Sequence, residues 1–203
     1  MSSGQAQPAR TSAAFVDESQ SNSARDPDTY ILAAAVCDGA MLAATRQSVA
    51  GLRLKGQHKL HWRDEGEKRR QEITETIAAA PLRHLIVVRD GQPGEKPERR
   101  RRHCLERLLY ELDQLGVGTV TFESRGRKDD KRDRDMLDAL RTKRVVATDL
   151  RMEHVAGPRE ALLWVADAVC GAVVQSRTGE SIYLEMIQAS VEIQVIVIGA
   201  PGK

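Results

Sequence analysis

In Ala13-Ala14-Phe15-Val16-Asp17-Glu18-Ser19-Gln20, four apolar residues run straight into an acidic pair. Residues 13–16 have the composition of a short core strand. A carboxylate at the end of such a strand is costly to bury unless a cation or hydrogen bonds compensate it. A polar loop follows, with Asn22, Asp26, Pro27 and Asp28. Residues 30–37 (YILAAAVC) are a continuous apolar run, long enough for a buried strand, and Asp38-Gly39 breaks it. Two strands joined by a loop predict an antiparallel hairpin.

Further along, residues 40–54 read as a helix and Lys59-Leu60-His61-Trp62 as extended or irregular chain. Residues 65–79 form a helix with Ile73 and Ile77 on one face, ended by Pro81. Residues 84–89 (HLIVVR) are a strand, and residues 90–97 a Gly/Pro loop. The clearest helix is 98–115, where Leu105, Leu108, Leu109, Leu112 and Leu115 recur at helical spacing and Gly116 supplies the stop. Residues 117–122 are a strand ending at Glu123, 133–141 a helix, and 145–148 a short strand. Pro158 opens an apolar helix to about Gln175, and residues 191–198 (VEIQVIVI) form a last strand. A hairpin followed by strand-helix alternation predicts an α/β fold, a mixed sheet flanked by helices.

Of the 203 residues, 41% are hydrophobic and 30% charged, enough for a real core with a solvated surface. Residues 1–12, Ser/Gln/Ala-rich and without a signal core, are expected to be a disordered tail ahead of one domain spanning 13–203. Cys37, Cys104 and Cys170 are far apart and form no C-x-x-C pair, as in a cytoplasmic protein with reduced thiols. No apolar run approaches a membrane span. Phosphate loops, dinucleotide turns, nucleophile elbows and zinc-type Cys/His clusters are absent. Aromatics, at 3%, are too scarce for a surface that binds single strands by stacking bases.

Net charge is only +2, yet basic residues cluster at Arg99-Arg100-Arg101-Arg102 and again between Arg125 and Arg134. Cations at a helix start oppose the helix dipole, which hints at a partner such as a nucleic-acid backbone. Lys55, Lys59 and Lys128 extend that surface. The alternative is a solvated arginine-rich face.

Asp17 and Glu123 each follow a strand, and Asp167 interrupts the apolar helix. If the two strands are neighbours and the helix packs over them, the three carboxylates form a cage of hard oxygen ligands suited to Mg²⁺ or Mn²⁺. Successive strand side chains face opposite ways, so Asp17 and Glu18 cannot serve one site equally, and Asp17 is assigned to the metal.

The segment Phe15-Val16-Asp17-Glu18-Ser19 resembles the opening strand of the domain of unknown function 3800 family. Residues 30–36 look like its apolar second strand, and Lys59-Leu60-His61-Trp62 is similar to its histidine motif. Leu162-Leu163-Trp164-Val165-Ala166-Asp167, with Gly171-Ala172, resembles its late Ala-Asp-x-x-x-Gly-Ala helix. The resemblance implies a ribonuclease H-like fold with a metal-dependent acid cluster. It makes Asp17 the first-strand ligand, Glu123 the fourth-strand ligand and Asp167 the last-helix ligand. Glu123 stands where Asp is usual, and its extra methylene shifts the metal or weakens the site. A fourth acid is expected on the 98–115 helix, Glu106 ahead of Glu111. His61 could orient a water or phosphate, and His154 could carry a proton. The expected function is a metal-dependent nuclease. The rivals are a non-catalytic nucleic-acid- or protein-binding module on the same fold, and a homodimer formed through the Asp167 helix and the tail strand.

Overall fold

The computed structural model describes residues 10–196. Strands β1 (Ser12–Gln20) and β2 (Thr29–Cys37) form the expected antiparallel hairpin, with Asp17 opposite Ala33 and Glu18 opposite Leu32. β1 therefore runs on through the acidic pair instead of ending at Val16, because β2 keeps pairing beyond it. Every residue of β2 is buried, and alternation splits them. Ile31, Ala33, Ala35 and Cys37 face one core; Tyr30, Leu32, Ala34 and Val36 face the other. A strand covered on both sides must read as an unbroken apolar run.

Helices α1 (Leu42–Ala50) and α2 (Glu67–Ala79) precede β3 (Leu82–Asp90). Then come α3 (Pro97–Gln114), β4 (Val117–Glu123), α4 (Arg127–Thr142) and β5 (Arg151–Val155). The chain continues through α5 (Ala161–Arg177), α6 (Ile182–Ile187) and β6 (Val191–Ile196). The sheet order is β5-β4-β1-β2-β3-β6, and β2 alone runs against the rest. One core lies under α1, α2, α5 and α6, and the other under α3 and α4. Gly116, at φ +73, ends α3 in the left-handed region where glycine is at no steric disadvantage. All three cysteines are buried free thiols. Among the described residues no helix is long and apolar enough to cross a membrane.

Several boundaries differ from the sequence reading. Residues 145–148 are turn and bend, with Val146 plugged into the core under α4. The fifth strand is Arg151–Val155, whose polar RMEHV sequence suits an edge that, among the described residues, pairs only with β4. α4 is longer than residues 133–141, and Pro158 lies in a 3₁₀ turn before α5. Glu160 caps α5, its carboxylate accepting the Leu162 N–H at 3.1 Å. Of the expected tail, residues 1–9 lie outside the described residues. Arg10 is anchored by Asp113 at 2.8 Å and by the Val117 carbonyl at 3.0 Å, and Ser12 opens β1. Residues 197 and 198 of the expected last strand also lie outside.

On β3, His84 is 1% exposed, and neither ring nitrogen has a hydrogen-bond partner among the described residues. Burial lowers its pKa from 6.5 to about 4. Between those values the unfolded chain binds a proton that the native imidazole refuses, so stability falls as pH drops through 6.5 and levels off near 4. The expected loss is on the order of 3 kcal/mol at most. Urea unfolding at pH 7.5 and 4.5 measures it as the difference between wild type and His84→Leu, since the other titrating groups are common to both proteins.

Candidate active site

β1 and β4 are parallel neighbours with Val16 beside Phe122, which brings Asp17 level with Glu123. Phe15 lies in the α5-side core and Phe122 in the opposite one. Alternation then turns both Asp17 and Glu123 toward α5. α5 packs across β1, where the Cys170 thiol donates to the Asp17 carbonyl at 3.4 Å. It brings Asp167 to the same place, and all three carboxylates line one cleft of about 290 Å³.

Their surroundings differ. Asp17 makes no ion pair among the described residues, and its carboxylate accepts the Glu18 N–H at 2.8 Å. Burial, then the charges of Asp167 and Glu123, push its pKa up to about 7. Glu123 holds the Lys59 ammonium with both oxygens, at 2.9 and 3.0 Å. Burial opposes the charge on Lys59, but Glu123 and then Asp17 and Asp167 outweigh it and raise its pKa. Asp167 accepts the Trp62 N–H at 2.7 Å and meets His61 Nδ1 at 2.8 Å. That bond raises the His61 pKa. As placed, no three described His, Cys, Asp or Glu side chains form a group that could hold a metal ion. The reason is visible in the contacts: Glu123 is turned to Lys59, and Asp167 to the His61 ring and the Trp62 N–H.

The segment carrying Lys59 and His61 is itself clamped to α5. Trp62 donates from Nε1 to Gln175 at 2.8 Å and lies edge-on to Tyr183. Its ring lies directly over Gly171, where an added Cβ would come within 2.0 Å of Trp62 Cδ1. Gly171→Ala is therefore expected to cost about 1–3 kcal/mol through displacement of Trp62. Urea denaturation checks this, with Ala172→Gly as the comparison for helix propensity.

No family model matches the chain, and no curated protein matches it. Solved structures do. The structure of the PCNA:RNase HII complex from Archaeoglobus fulgidus is similar over 86% of this chain and 78% of that one, at TM-score 0.52 and 16% identity. Bst-RNase HIII in complex with Mn²⁺ is similar over 89% of this chain, at TM-score 0.52 and 13% identity. This chain spans about half of that one, 54%. The fold is ribonuclease H-like.

On this ribonuclease H-like sheet the other expected residues separate. Glu18 points to the opposite face from Asp17 and reaches the cleft from its edge, held by Arg101 at 2.5 Å. His154 is not at the carboxylates. Its register partner is Phe122, so it faces α4, where it stacks on Phe122 and meets Asp133 at 3.2 Å. A proton carried by His154 would be on the wrong side of the sheet. Glu106 lies in a groove between α3 and α4 with Arg102 and Arg132, and Glu111 pairs with Arg107 at 2.6 Å. Neither lines the cleft, because α3 turns its leucines to the sheet and those acids aside. Glu18 is the fourth carboxylate there.

The arginine run is split by helical period. Arg99 and Arg102 are exposed, whereas Arg100 and Arg101 are buried. Arg100 pairs with Asp28 and donates to the Glu95 carbonyl at 2.6 Å. Arg101 grips Asp133 through two nitrogens at 2.5 and 2.9 Å. Arg125 is half-buried at the cleft, on a turn clamped by Asp130 through Ser124 Oγ and the Arg125 N–H. Lys55 and Lys128 are exposed. Sequence reasoning missed Asp133, hidden in the strongly charged 127–135 run, and missed Lys59 as a partner of Glu123.

Proposed function

We propose that this chain is a divalent-metal-dependent nuclease that cleaves nucleic-acid phosphodiesters at the Asp17–Glu123–Asp167 cleft. The observation that carries the reading is Asp17: a desolvated carboxylate without an ion pair among the described residues, beside two more carboxylates on one end of a ribonuclease H-like sheet. An all-oxygen donor set of three carboxylates, only partly offset by Lys59, fits Mg²⁺ or Mn²⁺. Asp17, Glu123 and Asp167 would hold the ion, with Glu18 at the edge. When bound, such an ion supplies Lewis acidity toward the phosphate and an acidified water.

The protein's own groups do the rest. Asp167 fixes His61 at the cleft, where its ring can orient a water or a phosphate oxygen. Arg125 offers a guanidinium at the cleft to a backbone phosphate. Arg99, Arg102 and Lys128 are exposed cations for flanking phosphates, which confer affinity without sequence readout. The RNase HII and RNase HIII structures, the latter with Mn²⁺, support both the substrate class and the metal. The resemblance to the domain of unknown function 3800 family belongs to the same proposal.

Calorimetry with Mn²⁺, followed by cleavage assays on end-labelled RNA, DNA and RNA/DNA hybrid, tests it. Absence of both metal binding and cleavage sinks the reading. The Lys59–Glu123 pair favours a second one, a binding module that has lost its chemistry. That module would bind nucleic acid equally well in EDTA and in Mn²⁺ and cleave none.

A further inference from the structure

We propose that Lys59 is the internal counter-ion of the carboxylate cleft and thereby sets its affinity for divalent metal. The inference rests on the metal-binding reading above and adds a residue that opposes it.

Lys59 lies between α1 and the turn at Trp62–Asp64, far in sequence from β4, yet its ammonium is shared by both Glu123 oxygens. Among the described residues it is the one ion-pair partner of Glu123. The other fixed cations of the cleft are differently placed. Arg101 is buried, with its nitrogens on Glu18 and Asp133, and Arg125 contacts those same acids and Glu98. Neither reaches Glu123. Lys59 thus neutralises a carboxylate that the metal would need.

The two cations compete for that carboxylate. An ammonium and a divalent ion on one carboxylate repel each other within a few ångströms in a partly desolvated cleft, where the interaction is several times stronger than in bulk water. Metal entry is therefore coupled to the departure of Lys59. A lysine can do so: its side chain is 31% exposed, and a flexible stem can carry the charge into water. The metal-competent fraction is the fraction with Lys59 displaced, and the apparent Kd is weakened in proportion. Reciprocally, bound metal drives Lys59 out.

The test uses Mn²⁺ alone, without nucleic acid, and calorimetry on the full chain. Lys59→Met should bind Mn²⁺ roughly tenfold more tightly than wild type. Lys59→Arg keeps the cation and should stay near the wild-type value. Wild-type binding with no tightening in Lys59→Met overturns the inference and leaves the metal reading standing. No Mn²⁺ binding by any of the three proteins sinks the metal reading and the inference together. A further arm needs no variant: acetylation of wild-type Lys59, read by mass spectrometry against the exposed Lys68, should rise several-fold when Mn²⁺ is added. Unchanged or reduced labelling of Lys59 counts against its displacement.

Discussion

Asp17→Asn is expected to abolish metal-dependent cleavage while making the metal-free protein more stable. The two effects share one cause. Asp17 is held on β1 near Asp167 and Glu123 with one backbone N–H and, among the described residues, no ion pair, so its charge is a burden on the bare fold. Asn keeps the shape and the acceptor oxygen and removes the charge. In EDTA the urea midpoint should rise, by about 1–3 kcal/mol in stability. Mn²⁺ affinity should fall by more than about a hundredfold, beyond what a merely supporting residue costs. Asp167→Asn is the contrast. Its carboxylate holds Trp62 N–H and His61, so its loss should lower stability as well as metal affinity. If Asp17→Asn binds Mn²⁺ like wild type, Asp17 is not a ligand. If instead it destabilises the metal-free protein, the strain argument fails.

Features set by local pattern were readable before any coordinates. An apolar run buried on both faces announces β2, five leucines at helical spacing announce α3, and Gly116 marks its end. The opposed facing of Asp17 and Glu18 follows from strand period alone. The pairing of β1 with β4 stood in the sequence only as a condition for a shared site, and the sheet meets it, with Val16 beside Phe122.

What escaped was set by contacts distant in sequence. β5 is an edge strand, and an edge has no need of an apolar sequence, so Val145-Val146 looked the better strand. The Lys59-Leu60-His61-Trp62 segment has no secondary-structure signature. Its order comes from α5, through Gln175, Asp167 and the space left by Gly171. His154 looked well placed because it is close to Asp167 in sequence, yet strand alternation sends it through the sheet to Asp133. Four arginines in a row look alike on a page, and only the direction of α3 separates two buried from two exposed.

That separation gives the second large effect. Arg101→Met is expected to cost about 3–5 kcal/mol, the penalty for leaving buried charge uncompensated. Arg101 is 2% exposed and Asp133 likewise 2%. Its loss strands Asp133, with His154 and a distant Arg125 nitrogen as remaining partners, and releases Glu18 from its place at the cleft. Adding Asp133→Leu should recover part of the loss, because apolar groups of similar volume often replace a buried ion pair without penalty. Urea unfolding of wild type, both single variants and the double variant gives the coupling energy, and additivity within about 0.5 kcal/mol would show that the pair does not act as a unit. Arg99→Gln and Arg102→Gln should behave in the opposite way. Exposed and outside the core, they should leave stability within about 0.5 kcal/mol of wild type. Under the nuclease reading each should instead weaken nucleic-acid binding and reduce its salt dependence by about one released counterion. If Arg101→Met loses binding in proportion to Arg99→Gln while keeping its stability, the division of the run into buried clamps and exposed phosphate contacts is wrong.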